Sequence, residues 1–127
     1  MRTMKYASIL IIKEAQQMTD KIKLIVDALD SKKAIDIKVL KIADLTVLTE
    51  YFVIANGGST TQVRSLAEEV EFKLQEAKED VKLEGKAQDW QLLDAGDVIV
   101  HIFTPDAREH YNLEKLWADA EEISIEE

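Results

Sequence analysis

Apolar residues at Ile22, Ile25, Val26 and Leu29 recur every three to four positions, which places them on one face of a helix. Thr19 stands where an N-cap belongs, so the pattern predicts a helix opening at Thr19 and stopping near Asp30 and Ser31. The period then falls to two. Ile35, Ile37 and Val39 lie on one side and Lys38 on the other, which predicts a strand running to about Ile42. Tyr51-Phe52-Val53-Ile54-Ala55 is apolar in both registers and rich in β-formers, the mark of a central strand buried on both faces, and it stops at Asn56-Gly57-Gly58.

From Thr60 or Thr61 a second helix turns Val63, Leu66, Ala67, Val70, Leu74 and Ala77 inward, while Glu68, Glu69, Glu71, Lys73, Glu76 and Lys78 face water. Two strands follow, Trp90 to Asp94 and Asp97 to Phe103, with Ala95-Gly96 as the turn between them. A loop of just those two residues sets Asp94 opposite Asp97, Leu92 opposite Ile99 and Trp90 opposite His101. Thr104-Pro105 is a cap followed by an N1 proline. Asn112 can cap a last helix with Leu113, Leu116, Trp117 and Ala120 inward, and the tail of Glu121, Glu122, Glu126 and Glu127 is expected to fray. These boundaries divide the chain into an N-terminal extension at 1–18, a domain at 19–120 and an acidic tail at 121–127.

With 46% hydrophobic residues, 127 residues supply one core, and a charged fraction of 32% with a single proline suits an α/β or α+β unit. The chain has no cysteine, which excludes disulfides, thiolate metal sites and a cysteine nucleophile. Ala7 to Ile12, interrupted by Ser8, is too short to span a membrane and carries no cleavage signature, so neither an export signal nor a membrane helix is expected. A cytoplasmic location is consistent with this. The net charge of -9 disfavours contact with nucleic-acid phosphates and favours basic partners.

Gly57-Gly58-Ser59, between a strand and a helix, is the one candidate phosphate cradle, but it lacks the lysine and spacing of a P-loop. The same segment resembles the entry to a nucleotidyltransferase fold. Those enzymes hold metal with an Asp-x-Asp on the following strand, and none follows here. Asp94 and Asp97 are the nearest substitutes, yet they flank a turn, where Asp is a common solvated residue. Two histidines, His101 and His110, cannot by themselves make a His-rich metal site, and a triad through Ser59 would still need an orienting acid. No cofactor or metal is expected, and an enzyme acting on a nucleotide is the alternative reading. Phe52 and Trp117 read as core. Tyr51 and Trp90 open their strands beside polar residues, as aromatic interface anchors do.

Thr49-Glu50-Tyr51-Phe52-Val53-Ile54, Gly58-Ser59, Glu84-Gly85, the run Trp90 to Phe103, and Arg108 to Trp117 resemble, in order and spacing, the Iojap-like ribosomal silencing factors. The likeness covers about residues 19 to 120. Glu50 and Asn112 stand where the family usually has Asp, His110 replaces a usual aromatic, and Gly85-Lys86-Ala87-Gln88-Asp89-Trp90 replaces a Gly-Trp pair. The resemblance implies a single α/β domain with a mixed β-sheet flanked by helices, nucleotidyltransferase-like without catalytic carboxylates. It also implies binding to the large ribosomal subunit through ribosomal protein uL14, a block on joining of the small subunit, and lowered translation when nutrients are scarce. Carried over by position, the partner-facing residues would be Tyr51, Trp90, Asp94, Asp97, His101 and Arg108, with Tyr111 and Glu114 holding the neighbouring helix. No membrane and no sequence-specific nucleic acid are implied as partners, and a homodimer is left open.

Overall fold

The computed structural model describes residues 18–124. β1 (Ile35–Lys41), β2 (Tyr51–Asn56), β3 (Lys82–Ala87), β4 (Trp90–Asp94), β5 (Val98–Phe103) and β6 (Glu121–Ile123) form one sheet in the order β3-β4-β5-β2-β1-β6. β2 and β5 run parallel and every other pairing is antiparallel, so the sheet is mixed, as expected. Parallel neighbours cannot be joined by a hairpin. The chain therefore leaves β2 through helix α2 (Thr60–Glu76), passes the β3–β4 hairpin and returns as β5.

Alternation along the two central strands feeds two cores. Val53, Ala55, Val98, Val100 and Ile102 meet Val63, Leu66 and Val70 of α2, and Ile22, Ile25 and Leu29 of α1, a helix over 18–31. On the opposite face Phe52, Ile54, Leu40, Ile42 and Phe103 gather with Ala107, Leu113 and Trp117. The last three come from α3 (Pro105–Tyr111), α4 (Leu113–Leu116) and the residue that ends α4. One face lies under two long helices and the other under two short ones.

Several expectations need correcting. Thr19 lies inside α1 rather than capping it, because Met18 is already helical. α2 starts where predicted, with Ser59 as its cap, but Ala77 is the exposed residue that closes the helix rather than part of its stripe. In β1, Asp36 adopts φ 54 and the register slips between Ile35 and Lys38. This bulge separates Ile35, which is exposed, from the face shared by Ile37 and Val39. Leu116 points outward rather than inward. Glu121–Ile123 do not fray: they pair with Val39–Lys41 as β6. Residues 1–17 and the acids Glu126 and Glu127 lie outside the described residues.

The hairpin register also differs. Trp90 stands opposite Phe103, Leu92 opposite His101 and Asp94 opposite Ile99. The turn is centred on Gly96-Asp97, closed by Ala95 N–H donating to the Val98 carbonyl at 2.9 Å, with Gly96 at φ 83. Moving the turn centre one residue displaces every pairing by two, which leaves each side chain on its face. Trp90 and His101 thus share a face, as expected, but as diagonal neighbours. β3 was not predicted. Its Lys-Leu-Glu-Gly-Lys-Ala carries no β-rich run, and as an edge strand it needs only the β4 pairing beyond the Gln88-Asp89 turn.

Leu66 is fully buried between α2 and the sheet, whereas Phe72 of the same helix is 55% exposed. Leu66→Ala is expected to cost about 3 kcal/mol by leaving a cavity. Phe72→Ala should change stability by no more than about 0.5 kcal/mol. Urea midpoints of the two variants check the assignment of faces.

Candidate functional site

The residues put forward from the sequence fall into three places. The first is the corner where the β4–β5 turn meets the loop before β2. Asp94 Oδ1 accepts from Gly96 N–H at 2.9 Å, which shapes the turn. The Asp97 carbonyl accepts from the backbone of Glu50 and Tyr51, at 3.0 and 3.1 Å, and Thr49 donates its hydroxyl to the Gly96 carbonyl at 3.1 Å. Lys21 of α1 closes the corner. Its Nζ donates to Asp97 Oδ1 at 2.7 Å and to the Ala95 carbonyl at 2.6 Å, and lies 3.4 Å from Glu79. The Lys21 side chain is 10% exposed, so these partners rather than water surround its ammonium. Lys21 went unnoticed in the sequence. The signal available was a lysine at the margin of the apolar stripe, in line with Ile25 and Ala28.

Tyr51 begins at this corner but packs, half-buried, on the α1/α2 side of the sheet, away from Trp90. The second place is the opposite face. Half-buried Trp90 stacks on Phe103 with centroids 5.1 Å apart and meets Tyr111 at 4.5 Å. The Trp90 indole N–H donates to His101 Nδ1 at 3.2 Å, and buried His101 takes the edge of Phe52 at 4.7 Å. Phe52 in turn meets Trp117 at 5.6 Å. Accepting at Nδ1 requires the imidazole tautomer protonated on its other nitrogen. Tyr111 keeps 42% of its surface exposed, so the group ends in a half-open aromatic edge. Trp90 lies four residues along β4 from Asp94, about 13 Å at the rise of a strand.

The third place is interior. Arg108, 7% exposed, donates Nη1 to the Asp36 carbonyl at 2.7 Å and to Asn56 Oδ1 at 3.0 Å, and Nε to Glu114 Oε1 at 2.7 Å. Its Nη2 lies 3.6 Å from Asp36 Oδ2, an ion contact rather than a hydrogen bond. Lys38 donates to the other oxygen of Glu114 at 2.8 Å. This network ties α3 and α4 to the β1 bulge and to the end of β2. The bulge earns its strained Asp36 by turning that residue's carbonyl to the guanidinium. The Glu114 carboxyl is held below its ordinary value by the Arg108 hydrogen bond first, against the opposing effect of burial, and then by Lys38. Lys38 is raised above its ordinary value by its hydrogen bond to Glu114 and the attraction of that carboxylate.

In the Gly57-Gly58-Ser59 turn both glycine N–H groups are engaged internally, and Ser59 caps the helix. Gly57 N–H donates to the Phe103 carbonyl at 2.8 Å, Gly58 N–H to Gln62 Oε1 at 2.6 Å, and Gln62 N–H to Ser59 Oγ at 3.1 Å. A Cβ at Gly57 would come within 2.9 Å of the Val63 backbone nitrogen, so the glycine serves close approach of strand and helix. Among the described residues, no three of His, Asp and Glu converge as a metal would require. No helix there is long and apolar enough to cross a membrane.

Residues 15–127 match the family model described as "Ribosomal silencing factor during starvation". A ribosomal silencing factor from Halalkalibacterium halodurans is 41% identical over 107 residues, covering 83% of this chain and 92% of that protein. A mouse protein named for mitochondrial assembly of the ribosomal large subunit is 37% identical over 76% of this chain and 44% of its own length. A crystal structure of a protein from Chromobacterium violaceum superposes with a TM-score of 0.75 at 40% identity, covering 78% of this chain and 84% of that one.

Glu114, held below its ordinary 4.5, contributes stability that is complete above that pH and is lost as the pH falls through the lowered folded value. Lys38, held above 10.5, contributes stability that is complete below that pH and is lost as the pH rises through the raised value. Urea midpoints against pH should fall on the acid side, and Glu114→Gln should flatten that limb. Arg108→Met strands Asp36, Asn56 and Glu114 and should cost about 3 kcal/mol at neutral pH.

Proposed function

The chain belongs to the ribosomal silencing factor family, and we propose that it acts by binding rather than catalysis: it docks on the large ribosomal subunit through ribosomal protein uL14 and keeps the small subunit from joining. Translation is thereby repressed in the cytoplasm when nutrients are scarce. The observation that carries this reading is that the Gly57 and Gly58 N–H groups and one oxygen each of Asp94 and Asp97 already have partners within the fold. The glycine-turn donors answer Phe103 and Gln62, Asp94 shapes its own turn, and Asp97 holds Lys21. What remains for a partner is surface. It comprises the aromatic edge of Trp90 and Tyr111, braced by buried His101, and the acidic corner of Asp94 and Asp97 beside Tyr51, while Arg108 and Glu114 hold α3 and α4 to β1 and β2. A net charge of -9 speeds encounter with a basic ribosomal protein and is repelled by RNA phosphate.

Mixed with separated subunits, the purified chain should pellet with the large subunit and lower the yield of joined ribosomes. Trp90→Ala or Tyr51→Ala should each weaken binding by on the order of 2 kcal/mol, and single acids of the tail by little. Pelleting with the small subunit, or large-subunit binding without loss of joining, would overturn the reading. So would metal-dependent nucleotidyl transfer abolished by changing Ser59, Asp94 or Asp97.

A further inference from the structure

The loop between β1 and β2 carries a group of side chains that the fold leaves unused. Leu45 is 45% exposed, Leu48 81% and Val47 fully exposed, three large apolar residues within four positions. Isolated apolar residues on a surface need no explanation, but a contiguous group on one loop does.

The loop is pinned at its base and within itself. Ile42 and Ala43 N–H both donate to the Glu50 carbonyl, at 2.9 and 3.1 Å, and Leu45 and Thr46 N–H donate back to the Ile42 carbonyl. Leu48 N–H donates to Thr46 Oγ1 at 3.2 Å, and Thr49, buried, anchors the loop to Gly96. A backbone held this way has little conformational freedom left to lose on binding.

Around the apolar tip carboxylates outnumber lysines. A shallow recess of about 390 Å³ lies between Thr46, Val47, Glu50, Gly96 and Asp97. Across Gly96-Asp97 it adjoins a second recess of about 500 Å³, walled by Glu79, Asp80, Asp94 and Asp97. Of the lysines there, Lys21 is already engaged by Asp97 and Glu79, and Lys82 pairs with Glu84. The surface is therefore an apolar knob beside a corner with an excess of carboxylates, Glu50, Glu79, Asp80, Asp94 and Asp97 against Lys21 and Lys82.

We infer that Leu45, Val47 and Leu48, with the Glu50–Asp97 recess beside them, form the docking surface for a basic protein that offers an apolar pocket. This rests on the proposed function and deepens it by naming the surface that meets the ribosomal protein. A second copy of this chain would set carboxylates against carboxylates. RNA would set phosphates against them.

The test uses the full chain with Val47→Ser, Leu48→Ser and the double variant, at positions whose exposure spares the core. Large-subunit binding is followed by pelleting at several salt concentrations, and urea midpoints and sedimentation of the free chain are measured alongside. Each single change should weaken binding at least tenfold and the double further, with unchanged urea midpoints, and binding of the parent chain should weaken as salt rises. Variants that bind as tightly as the parent overturn the docking surface while leaving the proposed function standing. A double variant that turns a dimeric free chain monomeric makes the loop a self-contact and also overturns it. A parent chain that binds neither subunit overturns the proposed function and this surface together.

Discussion

A strand that is apolar on both faces cannot lie at the surface of a sheet layer, and β2 imposes that constraint on everything around it. Phe52 and Ile54 need one cover and Val53 and Ala55 another, so the fold must place helices on both sides. The parallel pairing of β2 with β5 then obliges a long crossover, which α2 supplies while also sealing one face. With α1 and α2 both on that side, the second face is left to α3 and α4. Their short reach leaves Trp90 and Tyr111 half-open to water.

The two ends of β2 are secured by different electrostatics. At its C-terminal end Asn56 shares the buried Arg108 guanidinium with Asp36 and Glu114, so three elements converge on one charge. At its N-terminal end the backbone of Tyr51 and Glu50 hangs on the Asp97 carbonyl, and Lys21 fixes the Asp97 carboxylate from α1. Both arrangements hold loops still. That division suits a protein whose surface, rather than its interior, meets the partner.

Much of this was legible along the chain where local chemistry and tertiary demand agree. The double-faced run of β2, the Val63–Leu74 stripe and the Thr104-Pro105 start each state their role within a few residues. β3 was not legible, because an edge strand with one neighbour can be polar and interrupted by Gly85 without losing its pairing. The bulge at Asp36 was hidden too, since its cause lies 72 residues away in Arg108. Arg108 itself reads as a surface cation on a short helix, and only its convergence with Asn56 and Glu114 places it inside. The family resemblance picked out chemistry-bearing residues without their depth, so it put buried His101 and Arg108 beside half-buried Asp94 and Trp90 in one group. Leu45, Val47 and Leu48 drew no notice because a short apolar loop looks the same in sequence whether it is buried or exposed.

The proposed function requires a rigid scaffold that presents a fixed surface to the large subunit. Hydrogen exchange of the chain, free and bound to purified large subunits, tests it most directly, because exchange reports which amides a partner covers. Added protection is expected over residues 43–50, the Gly96-Asp97 turn and the edge at Trp90 and Tyr111, with β2 and β5 equally slow in both states. No added protection anywhere, or protection confined to the outer side of α2, would contradict it.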